Sequence, residues 1–104
     1  MTDILDAVRE AARKRLLFLP HAIKQMARPA NMVSVSEVER VVAEGEIIED
    51  YPEDVRGGSC LMVGCGEGRP IHVVCSPKDE YLAIITAYVP DPSQWSPDFR
   101  RRVP

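Results

Sequence analysis

Two short connections in the second half of the chain most constrain the fold. Each joins two apolar runs and is only five residues long. The runs occupy residues 60–64, 70–75 and 81–89, and the connections occupy residues 65–69 and 76–80. Parallel strands need a crossover of a dozen or more residues, whereas a hairpin needs only a few. The runs therefore predict neighbouring antiparallel strands, and a further strand is predicted at residues 46–51.

The first half of the chain carries the spacing typical of helices. Apolar residues recur every three or four positions across residues 3–16, with acids near the start and bases near the end. Pro20 suits the first turn of a second helix, which Pro29 ends. Ser34 and Glu37 form a capping-box pattern that opens a third helix. The sequence thus predicts an α+β fold with N-terminal helices packed on a small twisted antiparallel β-sheet.

Three further segments complete the predicted layout. Residues 17–19 fit either an apolar linker or a strand, and Gly45 suits the end of the third helix. Residues 95–102 predict a short terminal helix, with Trp95 anchoring it on the body. A chain of 104 residues suits one domain, residues 1–104.

Composition excludes several classes of protein. No apolar stretch approaches the roughly 18 residues that a membrane span needs. Asp3, Asp6 and Arg9 interrupt any signal-peptide pattern, so a cytoplasmic location is expected. The three cysteines, Cys60, Cys65 and Cys75, are expected to be reduced thiols, and without a Cys-x-x-Cys pair they predict no zinc site. We expect no metal and no cofactor.

Charge is unevenly distributed, although the net charge is only −3. Residues 1–28 carry a net +3, residues 29–57 carry a net −6, and three arginines stand at positions 100–102. A basic helix and a basic tail would bind phosphates if they converged in space. The alternative is a solvated helix face and a frayed terminus. The pI of about 5.3 argues against strong RNA binding.

Alternation along the predicted strands divides the sheet into two faces. If each hairpin closes as the spacing suggests, His72 lies opposite Ile84 on one side and Met62 on the other. Leu82, Thr86 and Tyr88 share that face. The residues predicted to point toward the helices are Ile71, Val73, Cys75, Ala83 and Ile85.

Several segments in order resemble a known bacterial family. They are His21-Ala22 with Met26, residues 35–51, residues 68–74 (Gly-Arg-Pro-Ile-His-Val-Val), residues 85–88, Pro90-Asp91-Pro92, Trp95 and residues 98–101. Together they resemble the domain-of-unknown-function 4258 family over residues 20–104, and residues 1–19 fall outside. Lys24-Gln25 departs from the Glu-Arg that the family often has, which removes one basic group.

The resemblance implies a fold and a partner. The fold would be similar to RelE-type toxins, with helices packed on a small twisted antiparallel sheet. Members of the family are often encoded beside predicted antitoxins that have a zinc-finger domain. This implies a ribonuclease role that a partner protein neutralises.

Two histidines and one tyrosine are the predicted catalytic residues. Metal-free RNA cleavage needs a base for the 2′-hydroxyl proton, a donor for the leaving oxygen and cations near the phosphate. Histidine suits the proton steps because it titrates near neutrality. We therefore expect His72 and Tyr88, with His21 from the second helix, to line one shallow cleft.

The predicted substrate-binding residues are three cations and a hydroxyl: Lys24, Arg28, Arg69 and Thr86. Five of the seven candidates also have a purely structural interpretation. His72 would be a partly buried residue held by one hydrogen bond, His21 a helix-capping residue and Tyr88 a sheet-packing aromatic. Arg69 would be an exposed turn residue and Thr86 a strand former.

Three alternative functions are compatible with this sequence. The first is a toxin-like endoribonuclease of a toxin–antitoxin pair, which cleaves RNA without metal. The second is a non-catalytic protein-interaction module of the same fold, favoured by the acidic middle segment and the incomplete basic positions. The third, a small-molecule or metal-binding protein, is least favoured because no ligand spacing is present. The sequence predicts no membrane association and leaves the oligomeric state open.

Overall fold

Three helices cover one face of a five-stranded sheet in a computed structural model, which describes residues 3–55 and 57–104. The helices are α1 (Ile4–Lys14), α2 (Pro20–Met26) and α3 (Val35–Glu44), with a 3₁₀ turn at Pro29–Asn31. The strands are β1 (Leu16–Phe18), β2 (Glu46–Tyr51), β3 (Ser59–Cys65), β4 (Pro70–Pro77) and β5 (Leu82–Tyr88). The predicted α+β class is confirmed. None of the described helices is long and apolar enough to cross a membrane.

The sheet is mixed, which corrects the expectation of a purely antiparallel one. Its strand order is β1-β5-β4-β3-β2. The pairs β2–β3, β3–β4 and β4–β5 are antiparallel, as the short connections predict. The apolar run near residue 17 forms β1, which pairs in parallel with β5 along an edge of the sheet. The long stretch of chain between these two strands gives room for the crossover that a parallel pair requires.

Helices α1 and α3 have capped ends, and the caps of α3 are those that its sequence predicts. The Asp3 carboxylate accepts a hydrogen bond of 2.9 Å from the Asp6 backbone N–H at the start of α1. Ser34 and Glu37 form the reciprocal capping box of α3, at 3.1 and 3.0 Å. The Gly45 backbone N–H bonds the Val41 carbonyl at 2.7 Å and closes α3. These bonds satisfy terminal donors and acceptors that a helix leaves unpaired.

The register around His72 differs from the predicted one. His72 pairs with Val63 of β3 and Tyr88 of β5, and its expected partners Met62 and Ile84 lie elsewhere in the ladder. In the β3–β4 hairpin the pair next to the turn is Cys65–Pro70. Every cross-strand pair of this hairpin is therefore offset by one residue from the predicted register. Turn length sets the register of a hairpin, and the turn between β3 and β4 is one residue shorter than the predicted connection at residues 65–69.

A bulge in β5 moves residues between the two faces of the sheet. Val74 pairs with Thr86, but the next residue, Cys75, pairs with Ile84, so Ile85 is the extra residue. An extra residue on one strand reverses the alternation beyond it. Ile84 therefore faces the helices, whereas Thr86 faces away from them. The predicted common face for these two residues is wrong for this reason.

The main core lies between the helices and the inner face of the sheet. Its buried residues include Val8, Ala11, Ala22, Met26, Val38, Val41, Val42, Met62, Ile71, Val73, Cys75, Leu82, Ile84 and Ala87. Every helix contributes to this cluster, so burial of apolar area ties all three helices to the sheet. The opposite face of the sheet, here called the outer face, carries His72 and Tyr88.

The C-terminal segment, residues 95–102, crosses the outer face without forming the predicted helix. Trp95 and Arg102 form an isolated antiparallel bridge, and Phe99 has a positive φ of 61°. The Ser96 N–H bonds the Arg101 carbonyl at 2.7 Å, and the Asp98 carboxylate accepts from the Arg100 N–H at 3.1 Å. Such local bonds compete with helix formation. Trp95 is 5% exposed, so its predicted anchoring role is confirmed.

A buried carboxylate joins α3 to the β3–β4 turn. Glu37, which is 3% exposed, accepts hydrogen bonds from the Glu67 N–H at 3.0 Å and from Arg69 at 2.9 and 3.0 Å. Gly66 packs so closely on this carboxylate that a Cβ at that position would clash with it. The bond to Arg69 is the main cause that lowers the pKa of Glu37 to about 2.

We predict that Glu37→Gln lowers the free energy of unfolding by about 3 kcal/mol, because it leaves the partly buried Arg69 guanidinium without its counter-charge. The wild-type contribution of Glu37 is complete above pH 4.5 and is lost as the pH falls from 4.5 towards about 2. Urea unfolding at neutral and acidic pH measures both effects. Glu39→Gln, an exposed substitution on the same helix, is the matched control, and an equal loss in both variants would contradict the assignment.

Candidate functional site

A carboxylate, a phenol and a guanidinium meet on the outer face of the sheet. Glu49 and Tyr51 stand two residues apart on β2, so their side chains project to the same side. Their cross-strand partners are Leu61 and Ser59, on the strand beside β2. Arg102 reaches them from the C-terminal segment. We call Glu49, Tyr51 and Arg102 the outer-face triad.

Hydrogen bonds fix the geometry of the outer-face triad. The Arg102 Nε and Nη2 atoms donate to the two Glu49 carboxylate oxygens at 2.8 and 3.1 Å. This fork-to-fork arrangement restricts both side chains. The Tyr51 hydroxyl donates to Glu49 Oε1. Glu49 thus accepts from both other members and lies at the centre of the triad.

The pKa shifts of the outer-face triad fix the protonation state of each side chain at neutral pH. The bonds from Arg102 and Tyr51 lower the pKa of Glu49, with Arg102 the larger cause. Burial, followed by the bond to Glu49, raises the pKa of Tyr51 to about 12. The bond to Glu49 raises the pKa of Arg102. The triad is therefore a carboxylate, a protonated phenol and a guanidinium, and the side chains of Glu49 and Arg102 are 24% and 61% exposed.

His72 lies next to this triad but is sealed from solvent. Its exposed fraction is 0%, and the Trp95 ring packs edge-on against the imidazole with centroids 4.4 Å apart. Nε2 donates to the Phe99 carbonyl at 2.8 Å, which leaves Nδ1 to accept from the Tyr88 hydroxyl at 3.3 Å. Burial lowers the pKa of His72. His72 is therefore a neutral group whose two nitrogens are both engaged in holding the C-terminal segment.

His21 lies on the helical side of the sheet, away from His72. It is exposed in the first turn of α2, and the next residue, Ala22, is buried in the core between the helices and the inner face. The sheet separates the two imidazoles. The expected cleft shared by His21, His72 and Tyr88 is therefore wrong, although Tyr88 does contact His72.

The four predicted substrate-binding residues do not form one group. Lys24 and Arg28 are exposed on the helical side, and Arg69 is held by the Glu37 carboxylate. Thr86 is half-buried on the outer face, two positions along β5 from Tyr88. Thr86 is thus the one member that shares a face with the outer-face triad.

The basic helix and the basic tail do not converge either. At the end of α1, Arg13 pairs with Glu10 at 2.8 Å and Lys14 donates to the Asp79 carbonyl at 2.6 Å. On the opposite side of the sheet, Arg100 pairs with Glu46. The tail is ion-paired to β2 and is not a frayed terminus.

The sequence interpretation missed all three members of the outer-face triad. The sequence places Glu49 and Tyr51 only in an acidic segment and a predicted strand, and Arg102 only in a basic tail. Period-two spacing of Glu49 and Tyr51 was the available signal, because it places both on one face of a strand. No sequence signal shows that Arg102 folds back across some 50 residues to meet them.

The cysteines form no metal site. Cys60 and Cys75 are both buried, with their sulfurs 3.9 Å apart across the β3–β4 pair. Cys65 is exposed. Within residues 3–55 and 57–104, no cluster of three or more His, Cys, Asp or Glu is placed to hold a metal ion.

We predict that the free energy of unfolding decreases as the pH falls below 6.5, because the unfolded chain then takes up a proton that buried His72 resists. His72→Gln should reduce this pH dependence, whereas His21→Gln, at an exposed position, should retain it. Chemical denaturation between pH 7 and pH 5 measures the slope. An unchanged slope in His72→Gln would show that another group causes the pH dependence.

The comparisons with known proteins identify a family and no characterised relative. Residues 18–89 match the family described as a domain of unknown function, DUF4258. The match runs from the last residue of β1 through β5 and includes Glu49, Tyr51, His72 and Tyr88, but it ends before the C-terminal segment. No curated protein and no solved structure matches the chain. Because the match spans more than half of the chain, this protein belongs to the DUF4258 family.

Proposed function

We propose that this protein is an endoribonuclease that cleaves RNA without a metal ion, with the outer-face triad as its catalytic group. The observation that carries the proposal is the contact of Glu49 with both Arg102 and Tyr51 on a solvent-reachable face. A base, a proton donor and a fixed cation are the three groups that such a reaction needs. The triad supplies all three within one set of hydrogen bonds.

Each member of the triad has a distinct role in the reaction. The Glu49 carboxylate removes the proton from a ribose 2′-hydroxyl, and the 2′-oxygen attacks the adjacent phosphorus. The bond from phosphorus to the 5′-oxygen of the next nucleotide then breaks, and the Tyr51 hydroxyl gives its proton to that oxygen. The Arg102 guanidinium bonds the phosphoryl oxygens as negative charge builds on them. The products are a 2′,3′-cyclic phosphate and a 5′-hydroxyl.

The charge states of the triad support these roles. Glu49 is ionised at neutral pH because its pKa is lowered, so it is in the form that accepts a proton. Tyr51 is protonated because its pKa is raised to about 12, so it is able to donate one. In the free protein the Arg102 fork is occupied by Glu49, and a bound phosphate would compete for its donors. Substrate binding therefore frees the Glu49 carboxylate for the 2′-hydroxyl.

We further propose that the protein is the toxin of a toxin–antitoxin pair. The resemblance of residues 20–104 to a family implied a fold similar to RelE-type toxins and an antitoxin partner with a zinc-finger domain. We propose that the protein acts in the cytoplasm and that such a partner neutralises it. Growth arrest on expression, relieved by the product of a neighbouring gene, is the result expected in cells.

Acidic side chains around β2 favour a second candidate, a non-catalytic protein-interaction module. Residues 29–57 carry a net −6, and Glu46 and Asp50 flank the triad on the same strand. This charge opposes the approach of a polyanion. Intact RNA after incubation with the wild-type protein, together with normal growth on expression, would favour this second candidate.

We predict that Glu49→Gln lowers the rate of cleavage of a single-stranded RNA by roughly 10²–10⁴-fold, the usual contribution of a general base. Tyr51→Phe should reduce the rate in the same way, because it removes the proton donor. Cleavage of an end-labelled RNA in the presence of a chelator measures both variants against the wild type.

Glu46→Gln is the matched control for Glu49→Gln. Glu46 also lies on β2 and pairs with an arginine of the C-terminal segment, Arg100, but it does not contact Tyr51. Both substitutions weaken the attachment of the C-terminal segment, and only Glu49→Gln removes the proposed base. An equal loss of rate in the two variants would assign the effect to attachment of the segment.

We predict a rate that shows no inflection near pH 6.5. The pKa of Glu49 lies below its usual range and that of Tyr51 is raised to about 12, so neither group changes charge between pH 5.5 and pH 8. A histidine base would instead give a rate that rises through that interval. The pH profile of single-turnover cleavage distinguishes the two mechanisms, and His21→Gln should leave the profile unchanged.

A further inference from the structure

We infer that a groove beside α2 docks an acidic amphipathic helix of another protein. The groove lies on the helical side of the molecule, so it is distinct from the outer-face triad. It has a volume of about 390 Å³ and is lined by apolar side chains from β1, α2, the connection between α2 and α3, and the start of α3. The inference does not rest on RNA cleavage and stands whether or not the triad is catalytic.

Exposed apolar side chains concentrate at this groove. Among the described residues, five large apolar side chains are exposed, and three of them line the groove: Ile23, Met32 and Val35, at 58%, 62% and 50%. Phe18 and Met26 form the groove floor beneath them. Single exposed apolar residues are ordinary, but a cluster around a concave surface marks an interaction site.

Two cations follow groove-lining residues at the end of α2. Ile23 on α2 and Ala27 at its C-cap line the groove, and Lys24 and Arg28 follow them in the sequence by one residue. Both cations are exposed, and neither has an ion-pair partner within the described residues. Residues 11–36 contain five Lys or Arg side chains and no Asp or Glu, although the whole chain has a net charge of −3. The local surface therefore attracts negative charge.

The apolar groove and the two neighbouring cations define the partner's chemistry. A helix with an apolar row for the groove and an acidic row beside it would satisfy both at once, because i and i+4 residues share a face on the partner helix. A second copy of this chain fits poorly, since a two-fold contact would bring its own cations against Lys24 and Arg28. A flat anionic membrane would meet both cations but would not fill a concave groove.

The test uses two helical peptides of about 18 residues, long enough to be helical with capped ends. Both carry leucines at helical spacing, one with glutamates beside them and the other with lysines at the same positions. Fluorescence anisotropy of labelled peptide measures binding to the intact protein. The acidic peptide should bind at least about tenfold more tightly than the basic one, the usual effect of a matched charge pair or two.

Substitutions at the groove should weaken binding of the acidic peptide by at least about tenfold, the scale of a central interface residue. The variants are Ile23→Asp and the double change Lys24→Glu with Arg28→Glu. Val55→Asp is the control for the first, because Val55 is 99% exposed and lies outside the groove. Arg101→Glu, on the opposite side of the molecule, is the control for charge. If Ile23→Asp fails to fold, Met32→Ser tests the same surface.

Four results would overturn the inference. They are equal affinity for the two peptides, an unchanged affinity in Ile23→Asp or Met32→Ser, displacement of the acidic peptide by single-stranded RNA, and a dimer in solution that Ile23→Asp dissociates. Co-sedimentation with vesicles of phosphatidylserine and phosphatidylcholine that Ile23→Asp abolishes would instead assign the groove to a membrane surface. Tight binding of the acidic peptide alone, lost in the groove variants and kept in both controls, would support it.

Discussion

The ion pair between Glu49 and Arg102 is the contact on which the outer face depends. It joins β2 to the last residues of the chain, with nitrogen–oxygen distances of 2.8 and 3.1 Å. This ion pair and Trp95 anchor the C-terminal segment on the sheet. The Phe99 carbonyl therefore lies where it accepts a hydrogen bond from His72. The same pair fixes the charge of the carboxylate that we propose as a base. One interaction thus links attachment of the segment, burial of the histidine and the chemistry of the triad.

Burial decides which polar groups of this face are available for chemistry. His72 and Tyr88 share hydrogen bonds in a region closed by Trp95, where desolvation disfavours the charged imidazole. Glu49 and Arg102 lie at the rim, where solvent reaches them. The histidine whose unperturbed pKa suits acid–base catalysis is thus a structural group, and the half-buried Glu49 carboxylate is the group that solvent reaches.

Sequence patterns predicted the elements of this fold much better than their contacts. Capping at Ser34, the strand at residues 46–51 and the hairpins follow from local spacing, and all are present. The parallel edge pair and the β5 bulge depend on partners far along the chain, so local spacing did not show them. The same limit applies to the site, since Arg102 meets Glu49 through a long-range contact. The family match ends at residue 89, so it does not include Arg102 either.

The helical side and the outer face have separate properties. The helical side combines an apolar groove with cations, which suits a protein partner, whereas the outer face combines a carboxylate with a guanidinium and a phenol, which suits phosphodiester chemistry. The central claim concerns the outer face, and chemical analysis of product ends tests it most directly. Mass spectrometry of a single-stranded RNA incubated with the wild-type protein and a chelator should find fragments ending in 2′,3′-cyclic phosphate and 5′-hydroxyl. Intact RNA, or fragments with 3′-hydroxyl and 5′-phosphate ends, would contradict the account.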